Sequence, residues 1–104
     1  MRIFVCTKPQ DMRRSFDALA LVAQQVLGED PRAGALFCFV NKRANRLKIL
    51  WWDRNGYCLL YKRLHRAMFR PPTSSDASIG IDAKQLAELL AGVAHERGRR
   101  ARSS

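Results

Sequence analysis

Three aspartates carry the side chains that phosphodiester chemistry would use. Asp11 and Asp17 fall within DMRRSFDAL (11–19), and Asp53 closes RLKILWWD (46–53). Carboxylates gathered by a fold can hold a Mg²⁺ ion against a phosphate. Each of the three also has an ordinary structural use. Asp11 precedes an apolar-periodic stretch and can cap a helix. Asp53 stands at the shoulder of a turn, where it can accept from turn N–H groups. Asp17 can pair with Arg13 or Arg14 along a helix face. His65 and His95 lie far apart in the chain, and Ser15, Ser74 and Ser75 fall in no nucleophile motif. Cys6, Cys38 and Cys58 sit inside apolar runs at spacings that match no zinc pattern, and read as buried free thiols. No Gly-rich phosphate loop is present. The pattern predicts no catalytic set, no metal site and no cofactor.

Binding chemistry is better represented. The chain of 104 residues has a formal net charge of +10. Residues 41–70 hold nine Lys and Arg (Lys42, Arg43, Arg46, Lys48, Arg54, Lys62, Arg63, Arg66 and Arg70) against Asp53 alone, which is 9 − 1 = +8. Positive charge gathered in this way suits a phosphate backbone. The alternative is a solvated basic surface that keeps the chain soluble. Arg13 and Arg14 add a possible anion site if they occupy the first turn of a helix, where free N–H groups favour negative charge.

These residues need elements to position them. RIFVC (2–6) reads as a strand. From Asp11 as cap, Met12, Phe16, Leu19, Ala23, Val26 and Leu27 recur at helical spacing, and Gly28 and Pro31 end that helix. Strands follow at 35–40, 46–53 and 57–64, with Asn55-Gly56 as a hairpin signal. SIGI (78–81) offers a further brief strand. Asp82 then caps a second helix, with Gln85 as its capping-box partner and an apolar face of Leu86, Leu89, Leu90 and Val93. The order β-α-β-β-β-(β)-α predicts a small two-layer α+β domain, an antiparallel meander covered by helices, over residues 1–93. Residues 94–104 read as a basic, disordered tail. No run approaches the roughly 20 apolar residues of a membrane span, and MRIFVCTKPQ has no signal-like apolar core, so a cytoplasmic protein is expected.

A two-residue loop at Asn55-Gly56 would pair Arg54 with Tyr57, Trp52 with Leu59, Leu50 with Tyr61 and Lys48 with Arg63. One face then carries Leu47, Ile49, Trp51, Cys58, Leu60 and Leu64, with Lys62 as its one charge, and should receive the first helix. The opposite face carries Arg46, Lys48, Leu50, Trp52, Arg54, Tyr57, Leu59, Tyr61 and Arg63. Basic groups interleaved with aromatics are what sheet-based nucleic-acid binders present. Lys42, Arg43 and Arg66 extend the same candidate surface. The same mixture also suits an interface with a partner protein or a second copy, and a sheet covered on both sides by its own helices is the remaining possibility.

DMRRSFDAL (11–19), GALFCFVNKR (34–43), RLKILWWDRNGYCLLYKRL (46–64) and QLAELLAGV (85–93), in this order and spacing, carry a resemblance. The chain resembles the accessory TnpB proteins of the insertion sequence 66 family of bacterial transposable elements, which are unrelated to the RNA-guided nuclease of the same name. One departure is His65, where the family commonly has an acidic residue. The resemblance implies an accessory protein of transposition, encoded beside a DDE-type transposase, and the missing catalytic set makes a non-catalytic one the expectation. The partners it implies are element-end DNA, that transposase, or both, with a homodimer as a further expectation. A protein-protein adaptor without DNA contact is the alternative function.

Overall fold

A computed structural model describes residues 1–94. In chain order the elements are β1 (Ile3–Cys6), α1 (Phe16–Gln25), β2 (Leu36–Val40), β3 (Arg46–Asp53), β4 (Gly56–Arg63), β5 (Ala67–Met68), β6 (Ser78–Ile81), α2 (Ala83–Ala91) and β7 (Val93–Ala94). Five strands form one sheet in the order β4-β3-β2-β1-β6, and β5 pairs with β7 in a small second sheet. The meander β2-β3-β4 is antiparallel, β1 runs parallel to β2, and β6 is antiparallel to β1. This is the expected α+β class. Of the expected tail, Ala94 pairs with Ala67, and the rest lies outside the described residues. Among the described residues no helix is long and apolar enough to cross a membrane.

Both faces of the sheet are covered. Phe4, Cys6, Phe37, Phe39, Leu50, Tyr57 and Leu59 pack with Leu19, Ala20, Val22 and Ala23 of α1. Their neighbours along the strands, Ile3, Val5, Cys38, Val40, Leu47, Ile49 and Trp51, pack with Phe69 and with Leu86, Leu89 and Leu90 of α2. Successive side chains on a strand point to opposite faces, so the near-continuous apolar runs of β1 and β2 require cover on both. The two-layer arrangement therefore becomes helix, sheet, helix. The first helix also lies on the face opposite to the one expected: it covers Leu50 and Leu59, while the Leu47/Ile49/Trp51 face receives α2.

The hairpin register differs as well. Asp53 pairs with Gly56, Trp52 with Tyr57, Leu50 with Leu59, Lys48 with Tyr61 and Arg46 with Arg63. Arg54 and Asn55 form the loop in place of Asn55 and Gly56, because Arg54 itself adopts the left-handed conformation at φ +57°. The shift is two residues, an even number, so every side chain keeps its face.

Local chemistry sets the helix ends. The Asp11 carboxylate accepts from the backbone N–H of Arg13 and from its guanidinium. Arg14 N–H donates to the Asp11 carbonyl, which makes residues 11–14 a turn. The helix starts only after Ser15, not at Asp11. For α2 the expected capping box forms, with Gln85 N–H donating to Asp82 Oδ1 at 2.8 Å and Asp82 N–H donating to Gln85 Oε1 at 2.9 Å.

Candidate nucleic-acid interface

The side chains expected to share one binding face occupy three separate settings. Lys48 is internal, with 6% of its surface exposed. Its position mid-way along β3 lies beneath the 11–14 turn, and its Nζ donates at 2.7 Å to the carbonyl oxygens of Met12 and Arg14. The same ammonium stands 4.8 Å from the centroid of the Tyr61 ring. Two carbonyls and an aromatic face satisfy a buried charge without a carboxylate. Lys48 is thus a structural lysine and reaches no external phosphate. Lys62, on the opposite face, has a matching use: its Nζ donates at 2.7 Å to the Leu90 carbonyl in the last turn of α2, where cations are favoured.

The second setting is the hairpin tip. Trp52 and Tyr57, opposed across the ladder, meet edge to face at 4.9 Å and 78°. The Arg32 guanidinium lies 4.5 Å over the Trp52 ring. Trp52 is therefore engaged by its own chain, and the open stacking platform expected of it is not formed. Arg54 is exposed in the turn. Arg32 escaped the sequence reading, for it sits in a loop whose turn is made by Asp30 Oδ1 accepting from the Arg32 N–H. Nothing local ties it to a tryptophan in a later strand.

The third setting gathers most of the remaining basic groups. Arg46 and Arg63 are direct cross-strand partners. Arg46 Nη1 donates to the Tyr61 hydroxyl at 2.8 Å, and Arg63 Nη2 lies 3.3 Å from His65 Nε2. Arg46, Tyr61 and Arg63 line a recess of about 220 Å³. Lys42 and Arg43 project from the adjoining turn. That turn is shaped by Asn41, whose Oδ1 accepts from the N–H groups of Asn45 and Arg46. Leu64 N–H donates to the Asn45 carbonyl and Phe69 N–H to the Ala44 carbonyl, which brings exposed Arg66 to the same end. Six residues of strand, roughly 20 Å at about 3.3 Å each, separate this end from the Trp52 cluster.

Among the described residues the ion pairs are Arg2 with Glu29 and Arg13 with Asp11. Arg46 and Arg63 thus face each other with no carboxylate between them. The Arg13 pairing holds the Asp11 carboxyl down at about 2, through the hydrogen bonds from the Arg13 side chain and backbone. It also takes the place of an anion site: Arg13 and Arg14 precede α1, so neither stands at its first turn, and Arg13 already has its carboxylate. Burial pushes the Cys38 thiol up to about 12; Cys6 is buried too and Cys58 is partly exposed. Among the described residues no three His, Cys, Asp or Glu side chains come together as a metal-binding group.

Comparison with known proteins agrees with the resemblance. The family model described as IS66 Orf2 like protein matches residues 1–100. The chain is 40% identical over 93 residues to "Uncharacterized protein y4hO" of Sinorhizobium fredii, spanning 89% of this chain and 81% of that one. It is 33% identical over 93 residues to "Uncharacterized protein y4jC" of the same organism, spanning 89% and 80%. No solved structure matches.

Proposed function

The chain belongs to the IS66 Orf2-like family of insertion-sequence accessory proteins, and from that premise we propose that it serves transposition by binding DNA, without catalysis of its own. Contact is made through the basic end of the β3-β4 hairpin. One observation carries this reading: Arg46 and Arg63 are held opposite each other beside the Tyr61 hydroxyl, with no carboxylate as counter-charge among the described residues. Like charges directly opposed across a ladder are destabilising. A bound phosphate removes that cost and adds charge-assisted hydrogen bonds.

Each residue then has a role. Arg46 and Arg63 grip the phosphate backbone, and Lys42, Arg43 and Arg66 extend the positive surface on either side. Tyr61 keeps 48% of its surface exposed and can meet sugar or base. Such contacts position a protein on nucleic acid and carry little sequence information, so low specificity for element-end DNA is expected, with selectivity supplied by the transposase.

Salt dependence tests this. Arg46→Ala with Arg63→Ala should weaken binding to element-end and scrambled duplexes alike. It should also flatten the slope of log affinity against log salt by about two units. A folded double variant with an unchanged slope would overturn the proposal.

A further inference from the structure

Strand β4 is an edge of the five-stranded sheet, and its free side has a definite register. The two-residue loop makes Asp53 and Gly56 the closing hydrogen-bonded pair. The bond from Leu64 N–H to the Asn45 carbonyl continues the same phase at the other end. Pairs then alternate between bonded and non-bonded along the ladder. Cys58, Leu60 and Lys62 therefore spend their backbone groups on β3, while Tyr57, Leu59, Tyr61 and Arg63 aim their N–H and C=O groups away from the sheet.

Natural sheets protect such an edge with proline, a bulge, a very short strand or charge along its length. Strand β4 is eight residues long and holds no proline. Its pairing with β3 runs without interruption. Its charge is confined to Lys62 and Arg63, and the Lys62 ammonium is turned onto the Leu90 carbonyl. Leu60 on one face and Tyr61 on the other are 40% and 48% exposed, placed to flank a chain laid alongside. The positive charge gathers at one end, with Arg46, Arg63 and Arg66, while at the other Arg54 stands beside exposed Asp53.

We infer that the β4 edge is a docking site for an extended, acidic segment of a partner protein, which adds as a sixth strand. Main-chain bonds supply the affinity in such additions and side chains supply the selection. Charge decides the occupant. A second copy of this chain would bring its own +10 to the same edge, whereas an acidic strand would meet the flanking arginines favourably. The inference stands on the strand edge and does not depend on DNA binding at the hairpin base.

Amide exchange in the full chain, isotopically labelled, tests it. The probe is a synthetic peptide of β4 length alternating Glu and Val, with a Lys and Val peptide as control. The Glu peptide should slow exchange at Tyr57, Leu59, Tyr61 and Arg63 by about tenfold or more, leave Cys58, Leu60 and Lys62 as they were, and have no counterpart with the Lys peptide. Tyr61→Pro removes one outward donor and no ladder bond, as edge prolines do, so it should abolish peptide binding while Tyr61→Ala retains it. Three results overturn the inference: no protection by the Glu peptide, equal protection by the Lys peptide, or protection that grows with protein concentration alone. Peptide binding retained in Tyr61→Pro does so too.

Discussion

Lys48 illustrates how one side chain can read as function and serve structure. In the sequence it is a lysine among aromatics in an alternating strand; in the fold its ammonium closes the 11–14 turn onto the sheet through the carbonyls of Met12 and Arg14. Replacing it with methionine keeps the aliphatic stem and strands both acceptors. Buried groups left unpaired cost about 1–3 kcal/mol, so Lys48→Met should lower the urea midpoint by an equivalent amount. The salt slope of DNA binding should stay the same for the folded fraction. A variant of undiminished stability with a flatter slope would return Lys48 to the phosphate-contacting set.

At the scale of elements, the end of α2 depends on a residue with no side chain. Gly92 terminates the helix at φ +70° and ψ −175°, a combination that is essentially confined to glycine. A Cβ there would lie 2.5 Å from Leu64 Cδ1 and 3.0 Å from the Met68 carbonyl oxygen. Gly92→Ala should therefore destabilise by about 1–3 kcal/mol, measured by thermal or urea unfolding. The damage should concentrate where β7 meets β5. The reversal of the chain into β7 makes this glycine a requirement. The capping box at Asp82 was legible beforehand because its two partners are three residues apart and need nothing from the rest of the fold.

For the whole molecule, placement of charge separates a binding site from general attraction. Arg54→Glu and Arg46→Glu change the net charge equally, one at the hairpin tip and one at its base. If the base binds DNA, Arg46→Glu should lower affinity at fixed salt by about tenfold more than Arg54→Glu, since it also loses a charge-assisted contact worth roughly 1.5–3 kcal/mol. Equal losses in duplex titrations would point to overall charge alone. The short pair β5-β7, which takes Val93 out of the second helix, was not determined by the sequence. The family, the order along the chain of the five-stranded sheet's strands and the two helices, and the concentration of positive charge in residues 41–70 were. Each rests on motifs, periodicities or counts that are local along the chain. The even register shift also left the faces as read, because alternation along a strand survives a slip of two. Which helix covers which face was decided by the tertiary structure. Each face of the β3-β4 hairpin sets a lysine among apolar side chains, Lys48 of β3 on one and Lys62 of β4 on the other. Either could accept a helix once its lysine found carbonyls to bond. Those carbonyls belong to residues 12, 14 and 90, at least 28 positions away, and no local pattern brings them there. In the candidate site, alternation along the strands already put Arg46 and Arg63 on one face, but their direct opposition came only with the observed register, and Arg32 reaches Trp52 only through the packed fold.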